Sequence, residues 1–327
     1  PTLETDGLRG GVLYYDGQFD DARLLVNLVQ TAARQGAKLL NHCPCIGLTF
    51  DPAGFVSGIR IRDAESGAET EVRARVVVNA TGAWVDEVRE MAEPGVAPMI
   101  APSQGVHIVL ERRFLPGDAA IMVPRTSDGR VMFAIPWHDH VVVGTTDTAI
   151  EAPVFEPRAR EEEIRFLLET AGQYLEEDPT LDDVKAIFTG IRPLVRATEG
   201  VNTAQLSRDH TLHVGPSGLL TICGGKWTTY RKMAEDCVDH AIHLGGLEER
   251  PCITRGLNVH GYHPNAARFG ALAGYGSDAP ALQALIRDEP ALGERLDPRH
   301  AVVGAQVVWA AREEMARTVD DVLAKFE

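Results

Sequence analysis

Arg75-Val76-Val77-Val78-Asn79-Ala80-Thr81-Gly82-Ala83-Trp84 is an apolar run that breaks into small residues. Three consecutive valines predict a strand buried on both faces, the habit of a parallel sheet. Asn79-Ala80-Thr81-Gly82 then lets a ligand or another backbone come close, because small residues and glycine leave room. A helix is expected over residues 84–91. Strand, tight bend and helix in that order point to an α/β sheet.

Upstream, Leu24, Leu25, Leu28, Val29, Ala32 and Ala33 recur at helical spacing, predicting a helix over 20–35. Asp20 or Asp21 suits its N-cap and Gly36 its stop. Residues 38–46 read as a strand. Three short strands follow at 47–51, 55–63 and 69–75, separated by Pro52-Ala53-Gly54 and Glu65-Ser66-Gly67, as a small meander.

Downstream of Met99 strands dominate: 105–110, 120–123, 131–136, 141–146 and 184–192, with one helix over 160–174. This pattern predicts an antiparallel sheet under a covering helix. A strand over 213–223 then meets Gly224-Gly225-Lys226-Trp227-Thr228-Thr229 and a helix to about Leu244. That unit resembles a nucleotide-binding element, so the chain is expected to return here to its first domain. Residues 252–327 read as helical, with a last long helix over 301–326. The expected fold is α/β with a large α+β share. Its domains are 1–98 with 214–250, 99–213, and a helical cap at 251–327.

A net charge of -15 excludes a nucleic-acid binder, which needs clustered Lys and Arg. Pro1-Thr2-Leu3-Glu4-Thr5-Asp6 does not read as a signal peptide, and no run of 18 apolar residues predicts a membrane span. Cys43, Cys45, Cys223, Cys237 and Cys252 are odd in number and scattered. They read as ordinary buried thiols in a reducing compartment, not as a disulfide framework. His138-Asp139-His140 reads as a polar hairpin turn, and no metal site is expected.

Gly17–Leu24 followed by Ala33–Ala37, together with Asn79–Trp84, resemble D-amino-acid-oxidase-like flavoproteins. Ser103-Gln104-Gly105-Val106-His107, Gly190-Ile191-Arg192-Pro193-Leu194, Ser207-Arg208-Asp209-His210 and Gly224-Gly225-Lys226-Trp227-Thr228-Thr229-Tyr230-Arg231 narrow the likeness. In this order they resemble aerobic FAD-dependent glycerol-3-phosphate dehydrogenases. Arg312–Thr318 is similar to the start of that family's C-terminal helical domain. The G-x-G-x-x-G loop with which such flavoproteins begin has no match here. The resemblance therefore implies an incomplete FAD-binding domain of the glutathione-reductase type, an antiparallel substrate domain and a partial C-terminal helical domain. The chain would be a piece begun after the first βαβ unit.

The resemblance also implies the chemistry. The secondary alcohol of sn-glycerol 3-phosphate is oxidised to dihydroxyacetone phosphate, a hydride passes to FAD, and a base takes the hydroxyl proton. Quinone is the expected acceptor. A glycerophosphate oxidase using oxygen and a flavin-free, non-catalytic piece are the alternatives. Cytoplasmic placement is expected, with a peripheral membrane contact and a homodimer left open.

Arg192 and Arg208 are the expected anion anchors, since the planar guanidinium binds phosphate through paired hydrogen bonds. By residue type alone, Arg192 could be a surface arginine and Arg208 the partner of Asp209. Arg196 is a third candidate, or structural. Lys226 would add a charge at a helix start. His107, in an alternating strand, is the expected proton acceptor, or else a satisfied core histidine. Ala80, Thr81, Gly82, Gly224, Gly225, Lys226, Thr228 and Thr229 are the expected cofactor contacts. Thr145–Thr148 is expected to be structural, touching the pocket rim.

Overall fold

The computed structural model describes residues 3–6, 8–124, 126, 129–196 and 209–325. They form two compact units, residues 1–11 with 44–250 and residues 12–43 with 251–327.

The first unit holds the sheets. β1 (Cys45–Phe50), β2 (Val56–Arg62) and β3 (Glu69–Arg73) form the antiparallel meander in that order. β4 is short, Val78–Asn79. It leads through a 3-10 turn, Gly82–Trp84, into α2 (Val85–Ala92). The largest sheet has the order β10-β5-β8-β7-β6, with β9 (Thr148–Ala149) also on β5. β5 (Ile100–Glu111) is its longest strand, flanked by β10 (Ala186–Val195) and β8 (His140–Gly144). β6 is Ile121–Val123 and β7 is Met132–Trp137.

Alternation along β5 separates two faces. Val106, Ile108 and Leu110 are fully buried and pack with Leu167, Ala171 and Leu175, at and just beyond α3 (Glu161–Gly172). Burying each such side chain is worth about 1.5–3 kcal/mol. Ser103, Gly105 and His107 fall by the period-two rule on the opposite face.

β11 (His210–Val214) and β12 (Leu220–Gly224) make an antiparallel pair, and β12 runs parallel to β4 through Leu220↔Val78 and Thr221↔Asn79. α4 (Tyr230–Gly245) follows and ends on Gly246 in the left-handed conformation.

The second unit is helical. α1 spans Asp21–Arg34, capped by the Asp20 carboxylate, which accepts from Arg23 N. α5 (Ala279–Asp288), α6 (Gly304–Glu313) and α7 (Val319–Leu323) belong to the same unit. Arg23 is buried. Its guanidinium lies 4.2 Å from the Tyr275 ring centroid and donates to the buried Glu314 carboxylate. Lys325 Nζ also donates to Glu314, at 2.9 Å to its backbone carbonyl and 3.4 Å to Oε2.

Five expectations need correction. Residues 38–44 form no strand: the ladder begins at Cys45, because extended backbone becomes a strand only where a neighbour pairs with it. Val78 is exposed, so the valine run is not buried throughout. The expected strand at 213–223 is two strands, folded back at Pro216-Ser217-Gly218 with Gly218 in the left-handed region. The last helix is broken: α6 ends at Glu313, Met315 takes a positive φ, and the Thr318 hydroxyl accepts from Asp321 N to cap α7. Cys43 and Cys45 are half-buried and Cys252 is exposed; only Cys223 and Cys237 are buried.

The Arg23–Glu314 contact gives a direct stability test. Arg23→Ala leaves a buried carboxylate with Lys325 as its remaining cation in this cluster. We expect a loss of about 3 kcal/mol in denaturant unfolding of this unit. A loss below about 1 kcal/mol, the scale of an exposed pair, would contradict the packing described.

Candidate active site

Three glycines clear one face of the large sheet. In register, Ser103 faces Arg192, Gly105 faces Gly190, and His107 faces Phe188 on one side and Gly144 on the other. The Arg192 guanidinium lies over Gly105, where a Cβ would collide with Nη1, Nη2 and Cζ. The His107 ring lies over Gly144 in the same way. At Gly190, between Phe188 and Arg192 on β10, nothing stands within 4 Å of the place a Cβ would take. The result is a notch with a cation at one end and an imidazole at the other.

Both side chains are held. Arg192 Nη2 donates to Thr145 Oγ1 at 2.8 Å and Nη1 to the Thr146 carbonyl at 3.0 Å; Asp147 Oδ1 is 4.0 Å away. Ser103 Oγ in turn donates to Asp147. The His107 ring stacks on Phe188, with centroids 4.8 Å apart and planes 7° apart. Burial, and secondarily the Arg192 charge, push the His107 pKa down to about 4. At neutral pH the ring is therefore uncharged, with one nitrogen able to accept a proton.

A second feature lies at the sheet that joins β4 and β12. Because these strands are parallel, their carboxyl ends share one edge, the edge where ligands of α/β sheets bind. From β4 comes the turn Ala80-Thr81-Gly82. Ala80 and Thr81 are exposed, and Gly82 has φ 60 with no atom within 4 Å of a notional Cβ. Asn79 is buried and shapes this turn: its Nδ2 donates to Val85 O at 2.9 Å, and its Oδ1 accepts from Thr81 Oγ1 at 2.7 Å.

From β12 comes Gly224-Gly225, at φ 74 and 75. Here glycine is required twice over. Side chains are strained at these angles, and a Cβ would meet Val195 at 2.8 Å from Gly224 or Met233 at 2.6 Å from Gly225. The next residues, Trp227–Thr229, form a 3-10 turn into α4. Thr229 Oγ1 donates to the Lys226 carbonyl at 2.9 Å and so closes the turn; Lys226 and Thr228 are exposed. The Trp227 indole Nε1 is buried without a hydrogen-bond partner among the described residues. An open glycine bend at Gly82 and a close-packed diglycine bend at one sheet edge, with an unsatisfied indole donor two residues past Gly225, fit a bound flavin.

Arg192 and His107 are thus brought together. Lys226 stands apart on the second feature, and Val195, three residues beyond Arg192 on β10, packs against Gly224 where the two features approach. Arg208 lies outside the described residues. Arg196 is tied to backbone, donating through Nε to Ile100 O at 2.6 Å. His138 and Asp139 form the two-residue turn of the β7–β8 hairpin, closed by Trp137↔His140. Sequence reasoning placed Thr145–Thr148 at the pocket rim as structural but did not see that Thr145, Thr146 and Asp147 hold Arg192, with Ser103 donating to Asp147. The available signal was glycine inside apolar strands, which marks a close approach.

The sequence profile of the FAD-dependent oxidoreductase family matches residues 1–231. That of the C-terminal domain of alpha-glycerophosphate oxidase matches residues 220–325. The chain is 38% identical over 349 residues to the probable mitochondrial glycerol-3-phosphate dehydrogenase of Caenorhabditis elegans, covering 99% of this chain and 48% of that protein. It is 42% identical over 268 residues to the mitochondrial glycerol-3-phosphate dehydrogenase of Homo sapiens, covering 80% of this chain and 37% of that protein. The chain thus spans about half or less of the length of these relatives. Among solved structures, the glycerol-3-phosphate dehydrogenase from Bacillus halodurans complexed with FAD superposes with a TM-score of 0.84 at 28% identity, over 99% of this chain and 67% of that one. Mixed sheets and helices, glycine bends at a parallel edge and a matching profile over residues 1–231 agree: the chain belongs to the FAD-dependent oxidoreductase family.

Proposed function

We propose that the chain carries the substrate site of an FAD-dependent glycerol-3-phosphate dehydrogenase, which oxidises sn-glycerol 3-phosphate to dihydroxyacetone phosphate. The single observation behind this reading is the notch that sets the Arg192 guanidinium and the neutral His107 ring on one glycine-cleared face. A phosphorylated secondary alcohol needs a cation for its phosphate or developing alkoxide and a base for its hydroxyl proton, and the notch supplies both.

In this reading residues 1–98 and 214–250 form the FAD-binding part, 99–213 the substrate part and 251–327 the cap. Ala80, Thr81, Gly82, Gly224, Gly225, Lys226, Thr228 and Thr229 would hold FAD, which when bound supplies the hydride acceptor. Arg192 orients the substrate and steadies negative charge on its oxygen. Arg208 and Lys226 add to the anion's hold. His107 accepts the hydroxyl proton. A pKa near 4, set first by burial and then by the Arg192 charge, makes it a weak base; a bound phosphate offsets the second of these causes and raises the ring's pKa from there. In this proposal electrons pass on to quinone, and the protein is cytoplasmic with a peripheral contact to the membrane that holds the quinone. No helix among the described residues is long and apolar enough to cross a membrane.

The direct test is anaerobic reduction of the FAD-loaded protein by glycerol 3-phosphate, read as bleaching of the flavin band near roughly 450 nm. Arg192→Ala should lower kcat/KM for this reaction by about 2–4 kcal/mol of transition-state stabilisation. Near-normal turnover in that variant removes Arg192 from the site. Hydrogen peroxide formed in air at the rate of turnover would favour oxygen as acceptor.

The buried imidazole also sets a pH dependence. Its folded pKa, about 4, lies below the ordinary 6.5. The unfolded chain therefore binds more protons between those values, and stability falls as pH drops from 6.5 to 4. His107→Gln should lose less stability across that window than the parent does. Equal losses in the two proteins would mean that the ring is not held neutral by its surroundings.

A further inference from the structure

Glu163, near the N-terminal end of α3, is only 4% exposed, and its carboxylate is met entirely by donors. Oε1 accepts from Thr148 Oγ1 at 2.6 Å and from Thr146 Oγ1 at 3.1 Å. Oε2 accepts from Gln104 Nε2 at 2.7 Å and from Arg160 N at 2.9 Å. Burial alone would raise its pKa. The hydrogen bonds outweigh burial and hold the carboxyl below the usual range.

Its two threonine partners flank Asp147. The segment they belong to, Thr145–Thr148, is the one that holds Arg192, through the Thr145 hydroxyl, the Thr146 carbonyl and the Asp147 carboxylate. The Thr146 hydroxyl also accepts from Val106 N at 3.0 Å, tying the segment to β5. Glu163 therefore grips from the helix side what grips Arg192 on the notch side.

We propose that Glu163 is a positioning residue for Arg192: by fixing Thr146 and Thr148 it fixes the three groups that keep the guanidinium over Gly105, without touching a ligand itself. Its relevance to phosphate binding rests on the reading of the notch given above; the coupling to Arg192 does not.

The test uses the ligand-free 327-residue chain and the proton titration of His107 followed by NMR. Burial is the larger cause of the depressed His107 pKa and Arg192's charge the second, so the midpoint shifts when the guanidinium moves away. Glu163→Gln keeps size but sets an amide donor against other donors, and should loosen the segment. The His107 midpoint should then rise above about 4, in the direction given by Arg192→Met, which removes the charge outright. Should Glu163→Gln fail to fold, Thr146→Val, which deletes only the hydroxyl link and keeps the carbonyl, gives the same reading with a smaller rise. An unchanged midpoint in the folded variant overturns the proposal. Failure of the substrate reading would show elsewhere, as an unaltered kcat/KM in Arg192→Ala, and would leave this titration as it is.

Discussion

A guanidinium and an imidazole lie side by side on a sheet face because glycine occupies the positions beneath them. Arg192 rests on Gly105 and His107 on Gly144. Ordinary strand residues would put Cβ atoms into both groups. The constraint is steric before it is electrostatic, and the electrostatics follow from it. Burial disfavours charge on the ring, the neighbouring cation adds to this, and the ring yields because arginine does not give up its proton. The site so formed sets a guanidinium, backed by the Asp147 carboxylate at 4.0 Å, beside one neutral base.

The opposite face of the same sheet keeps this arrangement rigid. Val106, Ile108 and Leu110 alternate with Gly105, His107 and Val109, so the apolar packing against Leu167, Ala171 and Leu175 fixes β5 from behind. Hydrogen bonds from α3 then reach the segment at Thr145–Thr148. Core and site are two sides of one strand, and the period of two keeps them apart.

Much of this was legible in the sequence, for identifiable reasons. α1 and the meander depend on near neighbours: apolar residues at helical spacing, an Asp cap, and Pro- or Gly-bearing turns. The diglycine bend could be read because glycine pairs at a strand end have few other uses. Arg192 and His107 were found through family likeness; residue type alone left each with an ordinary alternative. What stayed hidden depends on distant partners. Ser103 meets Asp147 across 44 residues, Gln104 meets Glu163 across 59, and Arg192 meets Thr146 across 46. No local pattern records such pairs. The strand at 213–223 was a different failure: Pro216-Ser217-Gly218, a local turn signal inside that span, went unread.

The central claim is that an anionic alcohol binds between Arg192 and His107. It is tested most directly by the His107 NMR titration midpoint in the chain with and without saturating glycerol 3-phosphate. Burial depresses the ring most and the Arg192 charge adds to it; a phosphate against Arg192 should offset that added part, and the midpoint should move upward from about 4. A midpoint that stays in place while the ligand is bound would put the ligand elsewhere and contradict the account.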